Sequence, residues 1–222
     1  MPVRRMRKNP HVITIDGPSG VGKGTIANML AQKLGWHFLD SGALYRIAAY
    51  AALKKNIPLT DAKALAHLAQ NLQIHFTDQR ILFEGEAIQD KIRQEQISAA
   101  ASQIGAHQIV RDALYDLQRS FLKAPGLVAD GRDMGTAIFP EAAFKFFLTA
   151  TAEERARRRL LQLQQAGTTV DAQEILTEIQ ARDERDRTRT ASPLKPAEDA
   201  LIIDTSTLSI PQVFSQIEQA LV

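Results

Sequence analysis

Between a short apolar run, Val12-Ile13-Thr14-Ile15, and a helical pattern from Ile26 to Leu34, the chain reads Gly17-Pro18-Ser19-Gly20-Val21-Gly22-Lys23-Gly24-Thr25. No other stretch constrains the fold so strongly, because a strand entering such a loop and a helix leaving it is the setting in which a backbone binds phosphate. The glycines allow tight turns and bring backbone N–H groups close to an anion. The helix that follows points its positive end at the same anion. Lys23 supplies a mobile cation for the outer phosphates of a nucleotide, and Thr25 offers a hydroxyl to phosphate or metal. Gly24 stands where Ser or Thr is usual, with Thr25 one place later. A glycine-rich turn that only joins strand to helix has no need of Lys23 or Thr25.

Short apolar runs alternate with longer helical patterns along the rest of the chain, which argues for a parallel sheet covered on both faces. The strands expected are 12–15, 36–39, 127–130, 144–148 and 201–204. Those ending at Leu39, Asp130 and Asp204 run into Asp at or just past the strand end. The carboxyl ends of parallel strands are where ligands bind in open α/β sheets. Between Asp61 and Arg93 the pattern changes: Ile74-His75-Phe76, Ile81-Leu82-Phe83 and Ala87-Ile88 are β-like pieces separated by Thr77-Asp78-Gln79 and Glu84-Gly85-Glu86, a small inserted antiparallel meander at about 73–90. A helix over 61–72 is expected before it, capped by Asp61 with Ala64, Leu65, Leu68 and Leu72 on one face. One long helical stretch, about Gln94 to Leu122, follows it.

The 222 residues, 45% of them hydrophobic, suit one α/β domain over 11–222 with a small insertion. The basic start, Arg4-Arg5-Met6-Arg7-Lys8, is followed by no apolar signal core, and 1–10 reads as a flexible solvated tail. With 27 basic against 25 acidic residues the net charge is only +2, so no long-range field holds the chain on nucleic acid and anion recognition must be local. The chain has no cysteine, which excludes disulfides, thiolate zinc sites and a cysteine nucleophile and fits a cytoplasmic location. No segment approaches the length of a membrane-spanning helix, so no membrane partner is expected.

A second feature is Arg182-Asp183-Glu184-Arg185-Asp186-Arg187-Thr188-Arg189. On a helix Arg182, Arg185, Asp186 and Arg189 share a face, which is either solvated and salt-bridged or built for an anion. Arg155, Arg158, Arg159 and Gln162 repeat the spacing on an expected helix over 153–165, with Ala156, Leu160 and Leu163 as its apolar stripe. Two arginine faces flanking the polar loop Ala166-Gly167-Thr168-Thr169 resemble the sides of a lid, at about 155–170. Arginine suits phosphate because its planar fork binds oxygens in pairs and keeps its charge.

Two further clusters follow strands. In Asp130-Gly131-Arg132-Asp133-Met134-Gly135, Asp130 stands where phosphate-loop proteins carry a metal-organising acid, and Arg132 and Asp133 could hold a polar substrate edge; an ordinary capped turn reads the same way. In Leu39-Asp40-Ser41-Gly42-Ala43-Leu44-Tyr45-Arg46, helix capping by Asp40 or Ser41 competes with ligand contact, and Arg46 is either a phosphate ligand or solvated. The five histidines share no motif. A phosphate loop and many arginines, without an evident nucleophile, suit phosphoryl transfer, whose transition state asks for positioning and charge neutralisation.

Together the loop Gly17–Thr25, the segment Leu39–Arg46, the string Ala129-Asp130-Gly131-Arg132-Asp133-Met134-Gly135-Thr136 and the run Arg182–Arg187 resemble bacterial cytidylate kinase, from about Val12 to the C-terminus. The resemblance implies a P-loop kinase fold: a central five-stranded parallel sheet flanked by helices, a small inserted antiparallel β subdomain, a monophosphate-binding region at 41–105 and a short lid. It implies ATP-dependent phosphorylation of CMP and dCMP by direct in-line transfer, with Mg2+, in a cytoplasmic monomer. By position it assigns Gly17 to Thr25 with Arg155 and Arg158 to ATP, and Lys23, Arg132, Arg159 and Arg182 to catalysis. Ser41, Arg46, Ser102, Arg111, Arg132, Asp133, Arg182, Asp186 and Arg189 match the family's residues for the monophosphate, and Thr25 and Asp130 would help hold the metal, largely through water. Phe83 would lie in the inserted sheet beside the monophosphate. Gly24 followed by Thr25 is this superfamily's own pattern. A kinase for another monophosphate or small acceptor is the alternative. A GTPase-like switch is disfavoured, since no Asn-Lys-x-Asp or Thr-Lys-x-Asp string is present.

Overall fold

The structure is a computed structural model that describes residues 11–76, 81–165, 167 and 170–221. The expected tail, the Thr77-Asp78-Gln79 separator and the lid-loop residues Ala166, Thr168 and Thr169 lie outside the described residues. In chain order the strands are β1 (His11–Asp16), β2 (His37–Asp40), β3 (Ile74–Phe76), β4 (Ile81–Phe83), β5 (Glu86–Ala87), β6 (Gly126–Gly131), β7 (Phe144–Thr149) and β8 (Leu201–Asp204). The helices are α1 (Lys23–Leu34), α2 (Ser41–Lys54), α3 (Ala62–Gln70), α4 (Glu95–Ile104), α5 (Gln108–Arg119), α6 (Ala152–Gln165), α7 (Ala172–Thr188) and α8 (Ile210–Ala220). They form two compact units, one from residues up to Asp40, Arg119–Thr188 and Ser192 onward, the other from Ser41–Gln118 and Arg189–Ala191.

The first unit is built on a five-stranded parallel sheet in the order β2-β6-β1-β7-β8. Burial on both faces explains why its central strands read as continuous apolar runs. Ile26, Ala27, Leu30 and Ala31 of α1 pack with Ile13, Ile15, Val128, Phe146 and Leu148 of the sheet and with Val213 and Ile217 of α8. Register matters for the site: Ile15 pairs with Asp130 and Asp16 with Gly131, so β1 and β6 end side by side. A single π-helical turn, Met134–Ile138, follows β6. Helices α6 and α7 share a small apolar core of Ala156, Ile175 and Ile179.

In the second unit α2 packs against α4, and β3-β4-β5 form the expected antiparallel meander. Asp61 caps α3, accepting from the Ala64 N–H at 3.0 Å. Phe83 is fully buried with the Tyr50 ring edge-on at 6.3 Å between centroids. The expected stretch from Gln94 to Leu122 is two helices, because the chain leaves α4 at Gly105 and re-enters a helix at Gln108. Glycine is a poor helix former, and the break is held by tertiary bonds. Arg111 Nη1 donates to the Gly105 carbonyl at 3.0 Å, and His107 Nε2 lies 2.9 Å from the Leu59 carbonyl.

Candidate active site

The phosphate loop leaves β1 at Gly17, whose φ is +147° and whose Cβ, were there one, would lie 2.1 Å from the Leu148 carbonyl oxygen. Only glycine passes so close to the neighbouring strand. Lys23 opens α1 and is folded into the loop: its ammonium donates to the Pro18 carbonyl at 2.7 Å and stands 4.0 Å from Asp130 Oδ1. At 6% exposure, burial pushes its pKa well below the ordinary lysine value. The charges of Arg132 and Arg182 push it further down, and Asp130 and Asp16 work the other way. The charges of Arg132 and Arg182 are thus felt at Lys23, beside the carboxyl ends of β1 and β6.

Buried carboxylates bear on these charges. Asp186 Oδ2 accepts from Arg132 Nε at 3.1 Å. Burial disfavours the Arg132 charge, but Asp186, Asp130 and Asp16 more than offset it and raise its pKa. Asp16, the last residue of β1, accepts from the backbone N–H of Met134 at 2.9 Å and of Gly135 at 2.8 Å. The end of the loop-bearing strand is thereby tied to the turn that follows Arg132 and Asp133. Burial raises the Asp16 carboxyl to about 7, against the two N–H groups that lower it. Asp133 is itself buried.

Beside the loop, a cavity of about 710 Å³ is lined by residues 20–26, Lys23 among them, by Glu154, Arg158 and Leu161 of α6, and by Thr205 to Ile210. Its size suits a nucleotide-sized ligand. Thr25 is exposed there. Arg158 reaches across to the Thr205 carbonyl and hydroxyl while pairing with Glu154. Arg155 is turned inward instead, at 3% exposure. Its Nε donates to the Ala150 carbonyl at 3.1 Å and Nη1 to the Ser19 carbonyl at 3.3 Å, and both terminal nitrogens hold the Asp183 carboxylate. The guanidinium braces the loop from beneath and faces protein partners, where the sequence suggested an ATP ligand. Arg159 is half-buried on α6.

The remaining residues expected at the monophosphate belong to the second unit. Ser41 opens α2 and its hydroxyl donates to Gln118 Oε1 at 2.7 Å. Arg46 lies on the same helix, Ser102 is buried on α4, and Arg111 is buried on α5 with its guanidinium 5.4 Å from the Tyr45 ring centroid. Arg189 lies beyond the end of α7 at Thr188 and is counted with this unit, so the helical face holds for Arg182, Arg185 and Asp186 alone.

The cytidylate kinase family model matches residues 13–221. Cytidylate kinase of Pseudomonas aeruginosa (strain LESB58) is 55% identical over 212 residues, covering 93% of each chain. The chain belongs to the cytidylate kinase family. The cytidylate kinase of Stutzerimonas stutzeri (strain A1501) is likewise 55% identical, over 218 residues that cover 96% of this chain and 95% of that one. Among solved structures, shikimate kinase from Bacteroides thetaiotaomicron is similar at a TM-score of 0.45 and 14% identity, over 95% of this chain and 98% of that one.

For a cytidylate kinase family member the donors of the site also bear on a magnesium ion. The Asp130 carboxylate borders the loop, with Oδ2 3.2 Å from where a Cβ on Gly24 would stand, and the exposed Thr25 lines the cavity. Among the described residues no three His, Cys, Asp or Glu side chains gather as a metal cage. Oxygen donors this few fit a hard cation whose other ligands are phosphate oxygens and water. Several structural contributors carry no sequence signal of their own. Asp16 and Gln118 read as an ordinary strand end and a helix position four beyond Leu114, Thr205 stands out in no motif, and Asp183 lies in the run Arg182–Arg187 with no role of its own signalled there.

Proposed function

We propose that this protein transfers the terminal phosphoryl group of ATP to CMP and dCMP, yielding ADP with CDP or dCDP. The folding of Lys23 into the phosphate loop beside Asp130, under the charges of Arg132 and Arg182, is the observation that carries this reading. Phosphoryl transfer spreads charge over the oxygens of the moving group, and preorganised cations in a water-poor site stabilise it most. The triphosphate would lie along Gly17 to Thr25, with its base in the cavity flanked by Arg158 and Leu161. Lys23 would leave the Pro18 carbonyl for the outer phosphates. A phosphate oxygen of CMP forms the new bond to phosphorus as the bond to ADP breaks, the departing electron pair staying on ADP. Arg132, held by Asp186, and Arg182 would offset the charge in flight, with Arg159 as a further cation.

A Mg2+ ion held by phosphates, water, Thr25 and Asp130 would supply additional charge neutralisation. Asp133 and Asp186 are proposed to serve the monophosphate. So are Ser41, Arg46, Ser102, Arg111 and Arg189, for which the family resemblance is the support. The α6–α7 pair fits a lid that excludes water and limits ATP hydrolysis. A cytoplasmic monomer is the setting we infer from composition and resemblance. Coupled ADP release with CMP, dCMP, UMP and AMP offered in turn tests the reading: CMP and dCMP should lead, and absence of turnover with all four overturns it. Lys23→Ala should slow turnover far more than it changes the KM for CMP, whereas Asp186→Ala should chiefly raise that KM.

A further inference from the structure

Gln118 is fully buried, at 0% exposure, on the face of α5 that also buries Val110 and Leu114. An apolar side chain would fill such a position without the cost of burying an amide, which is tolerated only when both its ends are paired. Here both are. Nε2 donates to the Leu114 carbonyl at 3.3 Å, and Oε1 accepts from the Ser41 hydroxyl at 2.7 Å. The bond to Leu114 decides which way the amide faces, since a flipped amide would set oxygen against a carbonyl oxygen. Ser41, itself 3% exposed, must therefore spend its only proton on Gln118.

A serine hydroxyl ordinarily rotates to serve donor or acceptor alike. This one has only lone pairs left to offer a ligand. We propose that Gln118 is a positioning residue that fixes Ser41 as an obligate hydrogen-bond acceptor, so that Ser41 selects a monophosphate presenting a donor: the exocyclic amine of the base or the 2′-hydroxyl of the sugar. A carbonyl or phosphate oxygen at that place meets lone pairs and is rejected. Gln118 touches no substrate and acts through Ser41. The inference rests on the functional reading above and adds to it a source of selectivity.

The test is steady-state kinetics of the full chain with CMP, dCMP and UMP, for the unaltered protein and for Ser41→Ala, Gln118→Met and the double variant. Each single change should lower kcat/KM for CMP roughly tenfold, the effect of one hydrogen bond. The loss should fall on the KM for the monophosphate and leave the KM for ATP unmoved. The double variant should cost no more than Ser41→Ala alone. If the base amine is the partner, UMP escapes the loss; if the 2′-hydroxyl is, dCMP escapes it. Either pattern supports the proposal. Additive losses, or equal losses on all three nucleotides, overturn it. Should Gln118→Met fail to fold, Ser41→Ala alone must still show the selective loss, and an equal loss overturns the proposal. Failure of the unaltered protein to turn over CMP or dCMP overturns the functional reading and this inference with it, whereas normal turnover with additive losses overturns the inference alone.

Discussion

On α6, Arg155 points into the protein, where the carbonyls of Ser19 and Ala150 and the carboxylate of Asp183 take up its guanidinium, and Arg157 and Arg158 are paired with Glu154. On α7 the charged face serves the loop from the other direction: Asp186 holds Arg132, and the charge of Arg182 reaches Lys23. The two helices repeat one spacing, yet the first sets its arginines on loop carbonyls and neighbouring carboxylates, and the second sets Asp186 on Arg132 and the charge of Arg182 on Lys23. Periodicity establishes which residues share a face, and only the packing partner decides whether that face is consumed by protein or left to a ligand.

That contrast can be broken by experiment. Arg182→Ala should have the largest effect, lowering kcat by roughly a hundredfold or more, as expected for one preorganised cation at the transferring group. A loss below tenfold in ADP release would put α7 in the same structural role as α6. Next is Arg155→Ala, which removes a buried guanidinium and leaves the half-buried Asp183 carboxylate without it, and should cost about 2 kcal/mol of stability in urea unfolding, with a raised KM for ATP. Arg155→Lys should not restore it, because an ammonium cannot reproduce the paired bonds to Asp183.

A pH dependence sharpens the same comparison. The folded protein holds a proton on Asp16 up to about 7 that the unfolded chain releases near 3.8. Stability contributed by that proton is therefore lost as pH rises through this window and is level above it. Asp16→Asn should flatten the slope measured by urea unfolding across that range, and an unchanged slope would refute the assignment. The smallest effect belongs to Arg157→Ala. Its side chain is 61% exposed and pairs only with Glu154 among the contacts described, so the urea-unfolding midpoint should barely move, with turnover unaltered.

Much of this site is legible in the order of the residues alone. The strands expected at 12–15, 127–130 and 144–148 correspond to β1, β6 and β7, and the meander lies where the short β-like pieces stand. The break between α4 and α5 is not legible, because nothing local distinguishes Gly105 from a tolerated glycine; it depends on Arg111 and on the Leu59 carbonyl. Arg189 shares the helical spacing of Arg182, but the helix stops short of it. Gln118 looks like any polar residue on an amphipathic helix, and its burial follows from the approach of Ser41 from 77 residues away.

By itself the sequence determined the phosphate loop, the parallel sheet and the clusters that mark this family, since each depends on residues within a few positions of one another. Tertiary structure decided which charges are paired and which face the loop. Arg155 finds Ser19 136 residues away, and Met134 finds Asp16 118 residues away. Such partners are chosen by the register of β1 and β6 and by the packing of α6 on α7, and no periodicity along the chain encodes them.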